Sequence, residues 1–417
     1  MRIIDIARLE VAVEQFAHRE PRIVAVGNFA TPWALLNLAD KALPAYRLFQ
    51  LCAQPGIPVR DGVRHESPFV GPGMRGLASL DFLPARLSLV PRILATTHVP
   101  DIVLLHTTPP RDGKVSLGVE VNILPAAIEQ ALARGGLVIA QINRNMPYTY
   151  GDAELSLDAI DFAFDHDSPL PSPARRADPV AGATAAGIAA HVAPLVPDGA
   201  TLQAGIGAVP DAVLAGLTER RGLRIWSEMI SDGVADLAAH GALDPATPVT
   251  ASFLFGSQEL YAWADCNPEL RMLRTETVND PARIAAQPTM TSINTALQVD
   301  LYAQANASYA NGRIYSGFGG QTDFTVGALH SAGGQAIIAL PSWHAKTGTS
   351  TLIPQLTTPV TSFQHTAIVT DQGTAHLLGC DQRGQAIHLI EHAAHPDARD
   401  ELRDAAGRLG LFGTVSF

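Results

Sequence analysis

Glu228 stands in the stretch Trp226-Ser227-Glu228-Met229-Ile230-Ser231-Asp232-Gly233, directly after the strand-length run Leu223–Trp226. Open α/β sheets hold ligands at the carboxyl ends of their strands. A carboxylate placed there can act as a general base, a metal ligand or a nucleophile. It can equally be a surface charge, and Asp232 reads as the cap of the helix that follows. A second stretch, Gln203-Ala204-Gly205-Ile206-Gly207-Ala208-Val209-Pro210, places two glycines between a strand and a helix. The backbone can approach a ligand closely there, and free helix amides suit a phosphate or carboxylate. An ordinary strand-to-helix turn has the same pattern, and the third glycine of a dinucleotide fingerprint is absent. The third stretch, Ser316-Gly317-Phe318-Gly319-Gly320-Gln321-Thr322-Asp323-Phe324, has three glycines in four residues. A chain so bare exposes its N–H groups, as an oxyanion hole or a phosphate nest requires. A flexible surface loop is the plainer alternative. In the fourth, Val278-Asn279-Asp280-Pro281 with Ser292-Ile293-Asn294 downstream, Asn beside Asp-Pro reads first as turn chemistry. Its amide matters only if aimed at a developing charge.

Other chemistries find little support. His388, His392 and His395 recur at i, i+4 and i+7, which reads as a solvated helix face rather than a zinc site. No GxSxG elbow and no P-loop is present. Cys52, Cys266 and Cys380 are odd in number and far apart, which argues against a disulfide scaffold and fits a reducing compartment. The net charge of −11 speaks against a nucleic-acid partner. No apolar run approaches the roughly 18 residues of a membrane span. The opening MRIIDIARLEVAVEQF is not a signal peptide, so a cytoplasmic protein is expected.

The elements that must carry these stretches follow from the apolar pattern. Of 417 residues, 47% are apolar and 17% charged, ample for large buried cores. Strand-length runs at 22–26, 101–105, 137–142, 200–203, 224–226, 250–254, 335–340 and 366–370 alternate with helical spacing at 31–43, 124–133, 181–196, 211–217 and 397–409. Such alternation predicts open α/β layers with mostly parallel sheets. The proline-rich stretch 165–178 is the best linker, so two α/β domains are expected, 1–178 and 179–417.

Taken in order, LQAGIGAVPDAVL, SEMISDGVADL, ETVNDP, SINTALQVDLYAQANA, SGFGGQTDF and AIIALPS resemble the acetyl-CoA hydrolase/transferase family, particularly its 4-hydroxybutyrate-type coenzyme A-transferases. In the first half, PDIVLLHTTPPRDGKVSLGVEVN, INRNMPYTYGD and IDFAFDHDSPLP extend the resemblance, which runs from about residue 22 to 400. It implies two related α/β domains with the active site in the cleft between them. It places the nucleophile on Glu228 and oxyanion donors on Gly320 and Asn279. Coenzyme A is expected against Gly205, Ile206 and Gly207 and against Gly317, Phe318, Gly319 and Gln321, with Lys346 as a partner for its phosphates. CoA and acyl-CoA are then substrates, with no prosthetic group and no metal. The partner would be a small carboxylate, and the assembly a homo-oligomer.

The implied reaction moves CoA from a short-chain acyl-CoA to that carboxylate through a glutamyl-CoA thioester. An acyl-CoA hydrolase using the same glutamate is the alternative, and a catalytically silent CoA-binding protein a second. Several positions depart from the family pattern: Ser350-Thr351-Leu352-Ile353-Pro354 lacks an arginine, and Thr370-Asp371-Gln372-Gly373 lacks an acid and an aromatic. A dicarboxylate acceptor would want a cation in the first half. Arg75 or Arg144 could serve, although both read more plainly as surface or structural residues.

Overall fold

A computed structural model describes residues 1–172, 179–205, 207–360 and 364–412. The proposed linker's end, the 178/179 boundary and Ile206 therefore lie outside the described residues. The chain forms two compact units. Unit 1 comprises Met1–Pro173, Pro248–Asn279 and Arg313–Gly320; unit 2 comprises Ala174–Thr247, Asp280–Gly312 and Gln321–Phe417.

Unit 1 is built on eight strands: β1 (Arg2–Ile3), β2 (Arg22–Ala25), β3 (Tyr46–Phe49), β4 (Val63–Ser67), β5 (Leu80–Phe82), β6 (Ile102–Thr107), β7 (Leu137–Ile142) and β8 (Phe162–Asp165). They line up as β1-β8-β7-β6-β2-β3-β4-β5, and every pairing is parallel. Between the strands run α1 (Ile6–Glu14), α2 (Trp33–Ala42), α3 (Val90–Thr96) and α4 (Leu124–Ala133). A parallel sheet covered by helices needs strands that are apolar on both faces. The runs in β2, β6 and β7 supply them, with Ile23, Val24, Ile102–Leu105 and Val138–Ala140 wholly buried. Leu9, Val13, Leu35 and Leu36 of the helices close one core over Ile23, Leu48, Leu104 and Ile139.

β4 was not visible in the apolar pattern, because Val-Arg-His-Glu-Ser carries one apolar residue. Its burial is bought by pairing. Glu66 accepts from Arg22 Nε at 2.6 Å and Nη2 at 3.0 Å, and Arg47 stands at 3.4 Å. His65 is bonded at both ring nitrogens, to Ser79 Oγ and the Pro58 carbonyl.

Unit 2 holds β9 (Thr201–Ala204), β10 (Arg224–Ile225), β11 (Met290–Asn294), β12 (Gln335–Ala339), β13 (Ala367–Thr370) and β14 (Gly373–His376). Their order is β10-β9-β11-β12-β13-β14, parallel except for the β13–β14 hairpin. Its helices include α5 (Pro179–Val192), α6 (Ala208–Ala215), α7 (Asp232–Ala239), α8 (Pro281–Ala285), α9 (Gln321–His330), α10 (Gln382–His388) and α11 (Arg399–Arg408). Leu301, Ile338, Leu340, Ile368, Leu389 and Leu402 lie in its core. The mostly parallel α/β architecture expected from the alternation is what both units show.

Ser292-Ile293-Asn294 forms the end of β11, buried between β9 and β12. Two local expectations are corrected. Asp232 is the first residue of α7 rather than its cap. Ser231 takes the extended cap position, leaving Asp232 facing the positive helix end. His388, His392 and His395 do not share one helix face. α10 ends at His388, a π-helical turn spans Leu389–Ala393, and His395 lies beyond it against Trp343, the rings tilted by 40° with centroids 4.6 Å apart.

Candidate active site

In unit 2 the chain runs from β9 outward to β10, then crosses to the other side of β9 to form β11. Strand order therefore reverses beside β9, and the carboxyl end of such a strand is where open sheets leave a crevice. Gly205 and Gly207 follow β9 directly, and Gly207, with φ 110°, caps α6. That φ is open to glycine and costly for other residues. α6 starts at Ala208, earlier than the run 211–217 indicated, with Pro210 in its first turn where an N–H would have no partner.

Glu228 lies two residues beyond the last β9–β10 backbone bond, Trp226 N–H to the Leu202 carbonyl at 3.1 Å. It is half-buried. Ser227 Oγ shapes the turn that presents it, donating to the Met229 carbonyl at 2.6 Å. Ser231 Oγ then meets Asp211 Oδ1 at 3.0 Å, tying the loop after β10 to the first turn of α6. Gly233 packs α7 onto α6 so closely that a Cβ there would stand 2.8 Å from Leu214. Only about 10 Å³ remains empty beneath the loop, among Ala204, Gly205, Ser227, Met229 and Ser231. That is room for one water at most. Unit 2 thus brings Glu228 and the Gly205–Gly207 turn onto neighbouring strand ends, over a tightly packed floor.

Two polar arrangements at this edge were not recognised in the sequence. Gln203 and Asn294, on adjacent β9 and β11, bond each other through both amide groups at 3.1 and 3.0 Å. Ser292 Oγ donates to Gln203 Oε1 at 2.6 Å. The polar alternation Ser292-x-Asn294 is the signal that the sequence offers for this pairing. Farther along the edge, Asp371 accepts from Ser342 N–H (2.7 Å), Ser342 Oγ (3.0 Å) and Gln372 Nε2 (2.8 Å). Burial raises the Asp371 pKa, yet the Ser342 and Gln372 donors outweigh it and hold the carboxyl below its usual range. Lys346 is exposed, in the turn joining the short strands Trp343–His344 and Thr349–Ser350. Gln321 opens α9, its Nε2 buried without a hydrogen-bond partner.

The other proposed site residues belong to unit 1. Asn279 is fully buried and ends the short helix Thr275–Val278, its N–H donating to the Thr275 carbonyl at 2.9 Å. Thr275 is bonded through its N–H and Oγ1 to Asn122, at 3.0 and 2.6 Å. Arg274 anchors the same turn to Glu129 and Glu276, both at 2.7 Å, and those partners raise its pKa above that of a free guanidinium. This helix packs on the 3₁₀ turn Leu87–Leu89, and Leu87 N–H donates to the Gly319 carbonyl at 3.0 Å. Asn279 and the Gly317–Gly320 loop are therefore mounted on one turn of unit 1. Of the loop, Gly317, Gly319 and Gly320 are buried and Phe318 is half-buried. Arg144 is exposed and paired with Asp167 at 2.7 Å, while Arg75 stacks on Tyr315.

The N-terminal-domain model of the acetyl-CoA hydrolase/transferase family matches residues 60–171, and the C-terminal-domain model matches residues 256–406. The chain belongs to the acetyl-CoA hydrolase/transferase family. It is 35% identical over 409 residues to a succinyl-CoA:acetate/propanoyl-CoA:succinate CoA transferase of Fasciola hepatica, covering 91% of this chain and 83% of that protein. It is 37% identical over 354 residues to a 4-hydroxybutyrate coenzyme A transferase of Clostridium kluyveri, covering 81% of each. An acetyl-CoA hydrolase of Kluyveromyces lactis is 35% identical over half of this chain and 40% of its own length. Among solved structures, RipA from Yersinia pestis superimposes with a TM-score of 0.87 at 30% identity, covering 98% of this chain and all of that one. The family member described here is an enzyme of coenzyme A transfer. A further relative, 32% identical over 345 residues, is a butyryl-CoA:acetate CoA-transferase of Anaerostipes caccae, named for a CoA thioester substrate. Among the described residues no helix is long and apolar enough to cross a membrane, and no cluster of three metal-ligating side chains occurs.

Proposed function

We propose that this enzyme moves CoA from a short-chain acyl-CoA to a small carboxylate, with Glu228 as the nucleophile. The observation that carries this reading is the position of Glu228, at a strand's carboxyl end beside the glycine turn that follows β9. A Glu228 oxygen attacks the thioester carbonyl, and the oxyanion accepts from the Gly320 N–H and the Asn279 amide. Donors preorganised in this way are worth ~3–4 kcal/mol each in comparable sites. CoA thiolate leaves, and a mixed acyl–glutamyl anhydride remains. The thiolate then attacks the glutamyl carbonyl, releasing the donor's carboxylate and leaving a glutamyl-CoA thioester. The acceptor carboxylate attacks that carbonyl and expels the thiolate. Attack of the thiolate on the new acyl carbonyl frees Glu228 and the product. Each step exchanges one acyl bond for another, so thioester energy is retained through a ping-pong cycle.

The Gly205–Gly207 turn, with Ile206 and the Gly317–Gln321 loop, supplies backbone approach for CoA, and Lys346 a cation for its phosphates. The substrate pair lies among short acyl thioesters and small carboxylates. The same assignment includes a cytoplasmic homo-oligomer and domains dividing at 178/179. Hydrolysis is the second reading, favoured by the resemblance to an acetyl-CoA hydrolase; water there takes the place of the acceptor.

The test is chemical trapping. Acyl-CoA followed by borohydride should inactivate the enzyme and reduce one thioester to an alcohol, in the peptide containing Glu228. Glu228→Ala should be neither labelled nor active. Labelling at another acid, or none in an active preparation, rejects the assignment. Release of CoA without added carboxylate, at the exchange rate, favours hydrolysis.

A further inference from the structure

The loop Gly317–Gly320 poses a physical problem. A glycine-rich segment is costly to order, yet an oxyanion donor must be aimed before the charge develops. Unit 1 aims it by taking its carbonyls. Val70 N–H donates to the Ser316 carbonyl at 2.6 Å, and Leu87 N–H to the Gly319 carbonyl at 3.0 Å. In a planar trans peptide, the C=O of one residue and the N–H of the next point in opposite directions. Holding the Gly319 carbonyl on Leu87 therefore turns the Gly320 N–H away from Leu87. The glycines let the chain lie this close. A Cβ on Gly317 (φ 138°) would overlap the Pro68 carbonyl oxygen, and one on Gly319 (φ 54°) would stand 3.0 Å from the Phe69 ring.

One side chain joins these backbone anchors. Arg75 Nε donates to the Tyr315 carbonyl at 2.8 Å, and its guanidinium lies 3.7 Å from the centroid of the Tyr315 ring. It bridges residues 240 positions apart in sequence. Among the described residues no carboxylate is paired with Arg75; its Nε and its flat face both engage Tyr315. Segment 68–87 thus grips the loop at Tyr315, Ser316 and Gly319, and Arg75 holds the entrance.

We propose that Arg75 is a positioning residue for the glycine loop. It fixes the Tyr315 peptide so that the N–H groups from Ser316 to Gly320 are oriented before substrate arrives. This rests on the reading of Gly320 as an oxyanion donor. A bond to a neutral carbonyl does not select among substrates, so Arg75 acts on the rate of acyl transfer and not on CoA affinity.

The experiment is steady-state exchange kinetics with Arg75→Ala, Arg75→Lys and Tyr315→Ala, and the double variant. Arg75→Ala should lower kcat about tenfold, equivalent to ~1.4 kcal/mol at the transition state, with KM for acyl-CoA within about twofold. Arg75→Lys should recover part of the loss, because a cation over the ring is kept while the planar fork is not. The double variant should be no slower than the slower single one, since both remove the same contact. Unchanged kcat in Arg75→Ala, a loss confined to KM, or multiplicative loss in the double variant overturns the proposal. If Arg75→Ala does not fold, Arg75→Gln and Tyr315→Ala carry the same comparison. Failure here is separable from failure of the Glu228 assignment. Wild type labelled at Glu228 with Arg75→Ala at full kcat rejects only the Arg75 role, whereas wild type unlabelled at Glu228 rejects the mechanism itself.

Discussion

At the scale of single residues, the chemistry rests on positions where an atom more or less changes the backbone. Gly317 is the sharpest case, because its φ of 138° and its contact with the Pro68 carbonyl both exclude a side chain. Gly317→Ala should lower exchange activity by up to about 100-fold, the cost of displacing a catalytic group by about 1 Å. The protein should remain folded by circular dichroism, destabilised by about 1–3 kcal/mol of backbone strain. Activity within twofold of wild type would mean that the loop's shape does not matter to the reaction. The motif around Glu228 was legible in sequence as a carboxylate following a strand. Its supporting bonds from Ser227 and Ser231 were not, because they run to a carbonyl two residues on and to a different helix.

Among elements, the central strands were readable wherever burial on both faces demanded unbroken apolar runs, as in β2, β6, β7 and β12. β4 and β11 escaped because their polar residues are paired after folding: Glu66 with Arg22, and Ser292 and Asn294 with Gln203. The packing of α8 on α9 shows the same dependence on partners. A Cβ on Gly327 of α9 would overlap Ile284 of α8, which is wholly buried. Gly327→Ala should destabilise the protein by ~1–3 kcal/mol through overpacking. Ile284→Ala alone should cost ~2–5 kcal/mol through its cavity, but much less in the Gly327→Ala background. A double-mutant cycle by urea denaturation checks this, and additive effects would contradict the packing argument.

For the molecule as a whole, each unit encloses a histidine that must stay neutral. His106 in unit 1 and His365 in unit 2 are pushed down to about 4, chiefly by burial. His106 Nδ1 donates to the Ala30 carbonyl, so Nε2 is left to accept from Asn143 at 3.0 Å. A folded-state pKa below the unfolded value means that the unfolded chain binds the proton more readily. Stability is therefore complete above about pH 6.5 and declines as pH falls toward 4. Each histidine can remove up to about 3 kcal/mol over that range. Melting temperature should fall steadily from pH 7 to pH 4.5, and His106→Gln should flatten part of that slope. An unchanged slope in the variant would show that His106 is not the titrating group.

Composition, apolar alternation and a handful of glycines sufficed to establish two α/β units with parallel sheets, and the ordered motifs sufficed for the family. These features are legible because each is a local requirement: an apolar run for a covered strand, a glycine for a positive φ. What folding alone settled is which distant residues serve as partners. Arg75 meets the carbonyl and ring of Tyr315, and Asn294 completes a buried amide pair with Gln203. Segments 248–279 and 313–320 pack with unit 1 although they lie far along the chain. Such choices depend on hydrogen-bond and packing partners many positions away, and a linear string does not display that proximity.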